Sequence, residues 1–123
     1  SEVDSIKHEI KQLFNTFLKE GKKIYGYGAS TKGNVILQYF DLTNDHILGI
    51  ADKNNLKEGL FSLTDIPIVS EDIGRKEADV FFILPYGFTD EFIQREREWV
   101  MNGGILVSPL PELRIIDKSY YVS

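Results

Sequence analysis

The residues best suited to chemistry in this sequence form one continuous run, Gly26-Tyr27-Gly28-Ala29-Ser30-Thr31-Lys32-Gly33-Asn34. It follows a short apolar stretch, Ile24 to Tyr27, that reads as a strand, and it opens a segment with helical potential, Thr31 to Phe40. The first amides of such a helix have no intrahelical partner and carry the positive end of its dipole, so the turn suits an anion such as phosphate. Gly26 and Gly28 stand in dinucleotide-fingerprint order, but that fingerprint asks for Gly or Ala where this chain has Thr31, with Gly33 two residues later, so the match is partial. The run is also no Walker A, because Lys32 precedes Gly33 instead of following it. Two glycines alone would permit a tight turn; Lys32 tips the reading toward a ligand.

Two further loops bear on the same chemistry. Asp52 follows the strand expected over His46 to Ala51, where a dinucleotide-binding domain places the carboxylate that takes ribose hydroxyls. Followed by Lys53, Asn54 and Asn55, it is equally a turn residue accepting nearby backbone amides, and both readings stand. In Pro85-Tyr86-Gly87-Phe88-Thr89, Tyr86 suits stacking on a base or sugar, or covering the rim of a sheet, while Phe88 suits a hydrophobic staple onto the next helix. His8 and His46 are too few and too far apart for a metal site and neighbour no evident nucleophile. The carboxylates of Arg95 to Glu98 read as a solvated helix face, and no acid and base pair stands out. No catalytic residue and no metal ligand is therefore assigned.

These loops need a scaffold, and the apolar pattern supplies one. Val3, Ile6, Ile10, Leu13, Phe14, Phe17 and Leu18 recur at three and four, predicting an amphipathic leading helix within residues 1–21 that stops near Gly21. The helix from Thr31 offers Val35, Ile36, Tyr39 and Phe40 for packing. Leu56 to Ile66 reads as a surface excursion and Ile66 to Val69 as an extended piece, after which Ser70 opens a brief turn. Asp79 to Leu84 is the most apolar strand, as expected near the centre of a parallel sheet covered on both faces. A helix capped by Thr89 is expected to run to about Asn102, with Phe92, Ile93, Trp99 and Val100 inward and Glu91 and Glu96 in solvent, stopped by Gly103 and Gly104. Ile105 to Ser108 returns as a strand, Arg114 to Ile116 adds an edge strand, and residues 117–123 form a tail that needs a neighbour. Strands and helices alternate, which predicts a three-layer α/β domain with a mostly parallel sheet, right-handed crossovers and ligand loops at the carboxyl ends of the strands.

Composition narrows the function further. A hydrophobic share of 42% over 123 residues is enough to bury the core of one domain. With no cysteine there is neither a disulfide frame nor a thiolate metal site, which points by default to a reducing cytoplasm. The longest apolar runs fall far short of the roughly 20 residues of a membrane-spanning helix, and no signal peptide is visible. A net charge of −5 with interspersed signs argues against a grip on nucleic acid. A small phosphorylated ligand remains compatible, because a few amides and one lysine suffice to hold it.

Taken in order, Gly26-Tyr27-Gly28-Ala29 with Lys32-Gly33-Asn34, Asp52 with Asn54, Leu56, Lys57 and Gly59, and then Ile66-Pro67-Ile68 resemble the C-terminal domain of sugar C-methyltransferases. The likeness continues through Asp79, Leu84, Phe88 and Glu91 to Gly103-Gly104 and Pro109-x-Pro111, covering roughly residues 22 to 114. The resemblance implies a Rossmann-like third domain of a longer enzyme that also carries a zinc-binding domain and a middle S-adenosylmethionine domain, and that methylates a carbon of a nucleotide-linked deoxysugar. It implies that S-adenosylmethionine and the catalytic residues belong to the adjoining domain, that no cofactor is bound by this one, and that this chain, not catalytic on its own, helps enclose the sugar nucleotide. Carried over by position, Gly28, Ala29, Ser30, Lys32 and Asn34 would face substrate and Tyr86 would match the family's aromatic. Gly26, Thr31, Gly33 and Asp52 complete the candidate site. The chain departs from the family at Tyr86-Gly87, where Trp-Asn is usual, and at the more polar Ser30-Thr31. Two other functions stay open: an NAD(P)-binding domain of an oxidoreductase, on Gly26, Gly28 and Asp52, and a noncatalytic interaction domain that pairs through the apolar face of Val3 to Leu18.

Overall fold

The structure, a computed structural model, describes residues 2–29, 31–54 and 65–122, without the side chains of Glu2, Val3, Thr31 and Lys32. Ser30 and most of the excursion expected over Leu56 to Ile66, with the family-like Leu56, Lys57 and Gly59, therefore lie outside the described residues.

Elements follow in the order α1 (Glu2–Lys19), β1 (Ile24–Tyr27), α2 (Thr31–Tyr39), β2 (Ile50–Ala51), β3 (Ile68–Val69), α3 (Glu71–Glu77), β4 (Val80–Ile83), α4 (Thr89–Arg95), α5 (Arg97–Met101), β5 (Ile105–Ser108), β6 (Arg114–Ile116) and α6 (Ser119–Val122). They build a six-stranded sheet of order β3-β2-β1-β4-β5-β6, parallel throughout except for the antiparallel edge strand β6. The period of two along each strand decides the layers. Ile24, Val80 and Phe82 face a core shared with Ile6, Ile10, Phe14 and Phe17 of α1 and with α2. Tyr27, Phe81 and Ile83 face the opposite core, shared with Phe92, Ile93 and Val100 of α4 and α5. The apolar face of α1 is thus spent on its own sheet. The predicted α/β, three-layer, mostly parallel architecture is what forms, with β4 beside β1 at the middle of the sheet. Among the described residues no helix is long and apolar enough to cross a membrane.

Several local expectations are corrected. The strand expected from His46 starts later, because Thr43 to His46 closes a turn in which the Thr43 amide donates to His46 Nδ1 at 3.2 Å; ladder bonds begin at Leu48. In α2, Leu37 takes the core position expected for Val35, which is 59% exposed, and Tyr39 points outward to donate to Asp4 Oδ1 at 3.2 Å. The brief turn expected at Ser70 is a helix: Ser70 Oγ accepts from the Ile73 amide at 3.2 Å, with Glu71 and Asp72 in the first turn and Arg75 and Lys76 in the last. The helix expected from Thr89 to Asn102 breaks at Glu96, and Thr89 is its first residue and not its cap. The Thr89 hydroxyl instead donates to Tyr86 O at 2.6 Å and shares a 2.8 Å hydrogen bond with Ser108. The tail finds its neighbour in α4, where Tyr121 donates to Ile93 O at 2.5 Å.

Gly74 explains why α3 was hidden: a mid-helix glycine reads as a turn, yet here it permits close packing. A Cβ at Gly74 would lie 2.7 Å from Ala51 Cβ and 3.1 Å from the Phe81 ring. Gly74→Ala gains helix propensity of up to about 1 kcal/mol. Overpacking against β2 and β4 exceeds that gain, so a net loss of about 1–3 kcal/mol is expected in urea unfolding, against no appreciable change for the exposed Lys76→Ala. An unchanged midpoint for Gly74→Ala would show that α3 stands off the sheet.

Candidate functional site

The glycine run leaves β1 at its carboxyl end, where the Gly28 amide donates to Ala51 O at 2.7 Å and the Leu84 amide donates to Tyr27 O at 3.1 Å. The chain thereby turns away between β2 and β4, beside the point where the strand order reverses. Gly28 has φ +90, and a Cβ there would lie 2.7 Å from Pro85 Cδ, so both conformation and space exclude a side chain. The close helix-to-strand approach that a third fingerprint glycine would serve falls on Gly33, whose Cβ would meet Leu84 at 3.0 Å. That accounts physically for a fingerprint that tolerates Thr31.

A cleft of about 210 Å³ opens at this end of the sheet, on the α3 and α4 side. Gly28 and Pro85 form its rim, Tyr27 and Phe92 its floor, and Asp52, Lys53, Phe88 and Arg95 reach into it beside Glu71 and Glu91. Of the candidate residues, the structure brings Gly28 and Asp52 together here. Asp52 also accepts from the Asn54 amide at 3.4 Å, so its turn role and its place in the cleft coexist. Gly26 lies in β1 beneath the rim. Ala29 and Tyr86 are half-buried against the α1 and α2 core, away from the cleft lining. Phe88, expected to staple onto α4, is 59% exposed and lines the cleft instead. In α2, the Oδ1 of Asn34 is buried and meets no donor among the described residues. Ser30 and the side chains of Thr31 and Lys32 lie outside the description.

Beneath the floor lies a charged cluster that corrects the solvated-face reading of Arg95 to Glu98 at Glu96, while Arg95, Arg97 and Glu98 are exposed as expected. Glu96 is 2% exposed. Arg75 donates to it through a fork, Nε to Oε1 at 2.7 Å and Nη2 to Oε2 at 2.8 Å, and Tyr27 donates its hydroxyl to Oε2 at 2.6 Å. Arg75 also reaches Glu71 Oε1 at 3.1 Å and Asp72 Oδ1 at 3.2 Å. The signal was present in the sequence: Phe92, Glu96 and Val100 are spaced by four, which places Glu96 on the buried stripe of its helix. Burial pushes the Glu96 carboxyl up, but hydrogen bonds from Arg75 and Tyr27 and the charges of Arg75 and Arg95 more than reverse this and hold it below the usual carboxylate range. Burial, then the bond to Glu96, pushes the Tyr27 phenol well above its ordinary value, so at neutral pH it is a fixed donor and not an acid or base. Among the described residues no cluster of His, Asp or Glu is arranged to hold a metal.

Five parallel strands in this order, a glycine turn after the first and a cleft at the switch point define a Rossmann-like α/β domain. A family model for the C-methyltransferase C-terminal domain matches residues 1–111. The chain is also 32% identical over 116 residues to C-methyltransferase NovU of Streptomyces niveus, an alignment covering 93% of this chain and 28% of that relative. The chain belongs to the C-methyltransferase C-terminal domain family. It spans little more than a quarter of the length of the curated relative it matches.

The cluster predicts a pH-dependent stability. Because the folded carboxyl of Glu96 is depressed, its contribution is complete above the unfolded glutamate value of about 4.3 and is lost as pH falls through the folded value. Glu96→Gln should lose about 2–3 kcal/mol at pH 7, below the range for a fully buried pair because Arg75 keeps Glu71 and Asp72. The gap to wild type should narrow below about pH 4. Urea unfolding from pH 7 to pH 3 checks this, and a gap constant across that range would show that the carboxylate charge is not what stabilises the cluster.

Proposed function

We propose that this domain is the substrate-enclosing part of a C-methyltransferase and that the cleft at the ends of β1, β2 and β4 takes a nucleotide-linked sugar. The observation that carries the reading is the convergence of three different groups in one small cleft: the bare backbone of Gly28, the Asp52 carboxylate and the exposed Phe88 ring. The turn at Gly28 leads into the start of α2, whose first amides suit a phosphate, a carboxylate accepts hydroxyl hydrogens, and an exposed ring offers a face to a base or sugar. Family membership supports the assignment of a methylated substrate to the site. In this reading S-adenosylmethionine and the groups that move protons belong to an upstream domain of a cytoplasmic enzyme. This chain binds the substrate, orients its sugar toward that domain and excludes water. Thr31, Lys32 and Asn34 of α2, with Ser30 before them in sequence, would meet the same ligand.

One observation favours a second ligand: Asp52 stands at the end of β2 beside Gly28, as a nicotinamide dinucleotide would require. A thermal-shift panel of thymidine diphosphate sugars, NAD, NADH and S-adenosylmethionine separates the two, since a ligand at about 100 times its Kd stabilises the fold by about 2.7 kcal/mol. Stabilisation by the sugar nucleotides alone is expected, weakened in Asp52→Ala, Phe88→Ala and Lys32→Ala. A shift with NADH and none with sugar nucleotides would replace this reading with the dinucleotide. Unchanged affinity in Lys32→Ala would remove the loop from the site.

A further inference from the structure

The two arginines under the cleft are used differently. Arg75 spends its fork on Glu96 and its remaining donors on Glu71, Asp72 and the Tyr27 hydroxyl. Glu96 in turn is filled by Arg75 and Tyr27. Arg95 comes to the same carboxylates second and stands off from them, with Nε 3.7 Å from Glu96 Oε2 and Nη2 3.9 Å from Glu71 Oε2. Both distances exceed hydrogen-bond reach, and among the described residues the guanidinium donates no hydrogen bond. It is nevertheless held in place, because its Cζ lies over the rings of Phe92 at 4.7 Å and Tyr27 at 5.4 Å. The side chain is 42% exposed and lines the cleft. An oriented, charged fork with idle donors at a cleft wall matches the two oxygens of a phosphoryl group. Lys53 adds a second positive charge, while Asp52 and Glu91 would repel a phosphoryl group and attract hydroxyls.

Resting on the nucleotide-sugar reading, we propose that Arg95 is the phosphoryl-contacting side chain of this cleft, and that the ligand lies with its phosphoryl groups against Arg95 and its hydroxyls toward Asp52 and Glu91. Arg75 acts through Glu96 and Glu71: by satisfying both carboxylates it leaves Arg95 available to the ligand.

The test titrates the chain with inorganic pyrophosphate, thymidine diphosphate, a thymidine diphosphate sugar and uncharged thymidine, following the arginine side-chain Nε–H signals by NMR. Pyrophosphate and thymidine diphosphate should shift the Arg95 signal. Arg95→Ala should weaken thymidine diphosphate about tenfold or more while leaving thymidine unchanged, with Arg95→Lys between, since it keeps charge and loses the fork. Arg97→Ala, two residues along and over the Tyr121 ring, should bind as wild type. Should Arg95→Ala fail to fold, Arg95→Lys decides: wild-type affinity overturns the proposal and a selective loss for the diphosphate supports it. Equal weakening of thymidine and its diphosphate would also overturn it, by showing a loss of cleft shape instead of a phosphoryl contact. Nucleotide sugars bound equally by wild type and Arg95→Ala would sink this assignment and leave the proposed function standing. Pyrophosphate binding at Arg95 without nucleotide-sugar binding would do the reverse, and binding of neither would remove both.

Discussion

The pairing of the half-buried Arg75 with the buried Glu96 is the constraint on which this end of the domain depends. Removing a carboxylate from water is expensive, and only a bidentate partner with further hydrogen bonds offsets the penalty. Glu96 receives that from Arg75 on α3 and Tyr27 on β1, so three elements distant in sequence must meet at one point. Arg75 is fixed at its other end as well, since Trp99 donates its indole N–H to the Arg75 carbonyl at 3.0 Å and packs its ring on Phe81 with centroids 4.6 Å apart. The break between α4 and α5 falls on Glu96 itself. A carboxylate that must face inward among apolar neighbours and meet a fork on another helix is a sufficient reason for a local departure from straight helix.

From this pair the cleft acquires its floor. Tyr27 cannot turn its ring without giving up the 2.6 Å bond to Glu96, and its ring in turn lies against Phe81 and Phe92, with centroids 4.5 and 4.6 Å away. The backbone that carries Tyr27 continues directly into Gly28, whose amide is tied to Ala51. A fixed Tyr27 therefore fixes the direction in which the glycine turn leaves the sheet. Rigidity of this kind is what a binding site needs from its scaffold, because groups that are already oriented lose less entropy when a ligand arrives.

What the sequence revealed and what it hid follow from the range of each interaction. The strands at Ile24, Val80 and Ile105, the amphipathic α1 and the stop at Gly103 rest on local periodicity and local backbone preference, and all are legible. Gly28 and Asp52 are legible because a strand-to-helix turn and a strand end constrain residue type locally. The helix at Glu71 was obscured by Gly74, whose reason is contact with Ala51 and Phe81 from other strands. Glu96 reads as a surface charge in the sequence because the partner that makes its burial tolerable, Arg75, lies 21 residues away. Tyr86 takes the covering role that the sequence left open beside stacking, while Phe88 leaves its expected staple for the cleft, because the short turn Tyr86–Phe88 directs one ring to the α1 and α2 core and leaves the other exposed, which no periodicity encodes.

The charge arrangement around the cleft also explains how an acidic protein is compatible with a phosphorylated ligand. Net charge of −5 acts over the whole surface and is screened beyond about 8–10 Å in physiological salt. Within the cleft, the nearest carboxylates to Arg95 are those that Arg75 already satisfies, so their field on a ligand is largely cancelled at short range. Remove Arg75 and the same two carboxylates would draw Arg95 into full hydrogen-bonded pairs, closing the fork. Arg75 is engaged with both carboxylates while Arg95 is held over aromatic rings, so structural charge pairing falls on one side chain and the other keeps its donors for the proposed ligand.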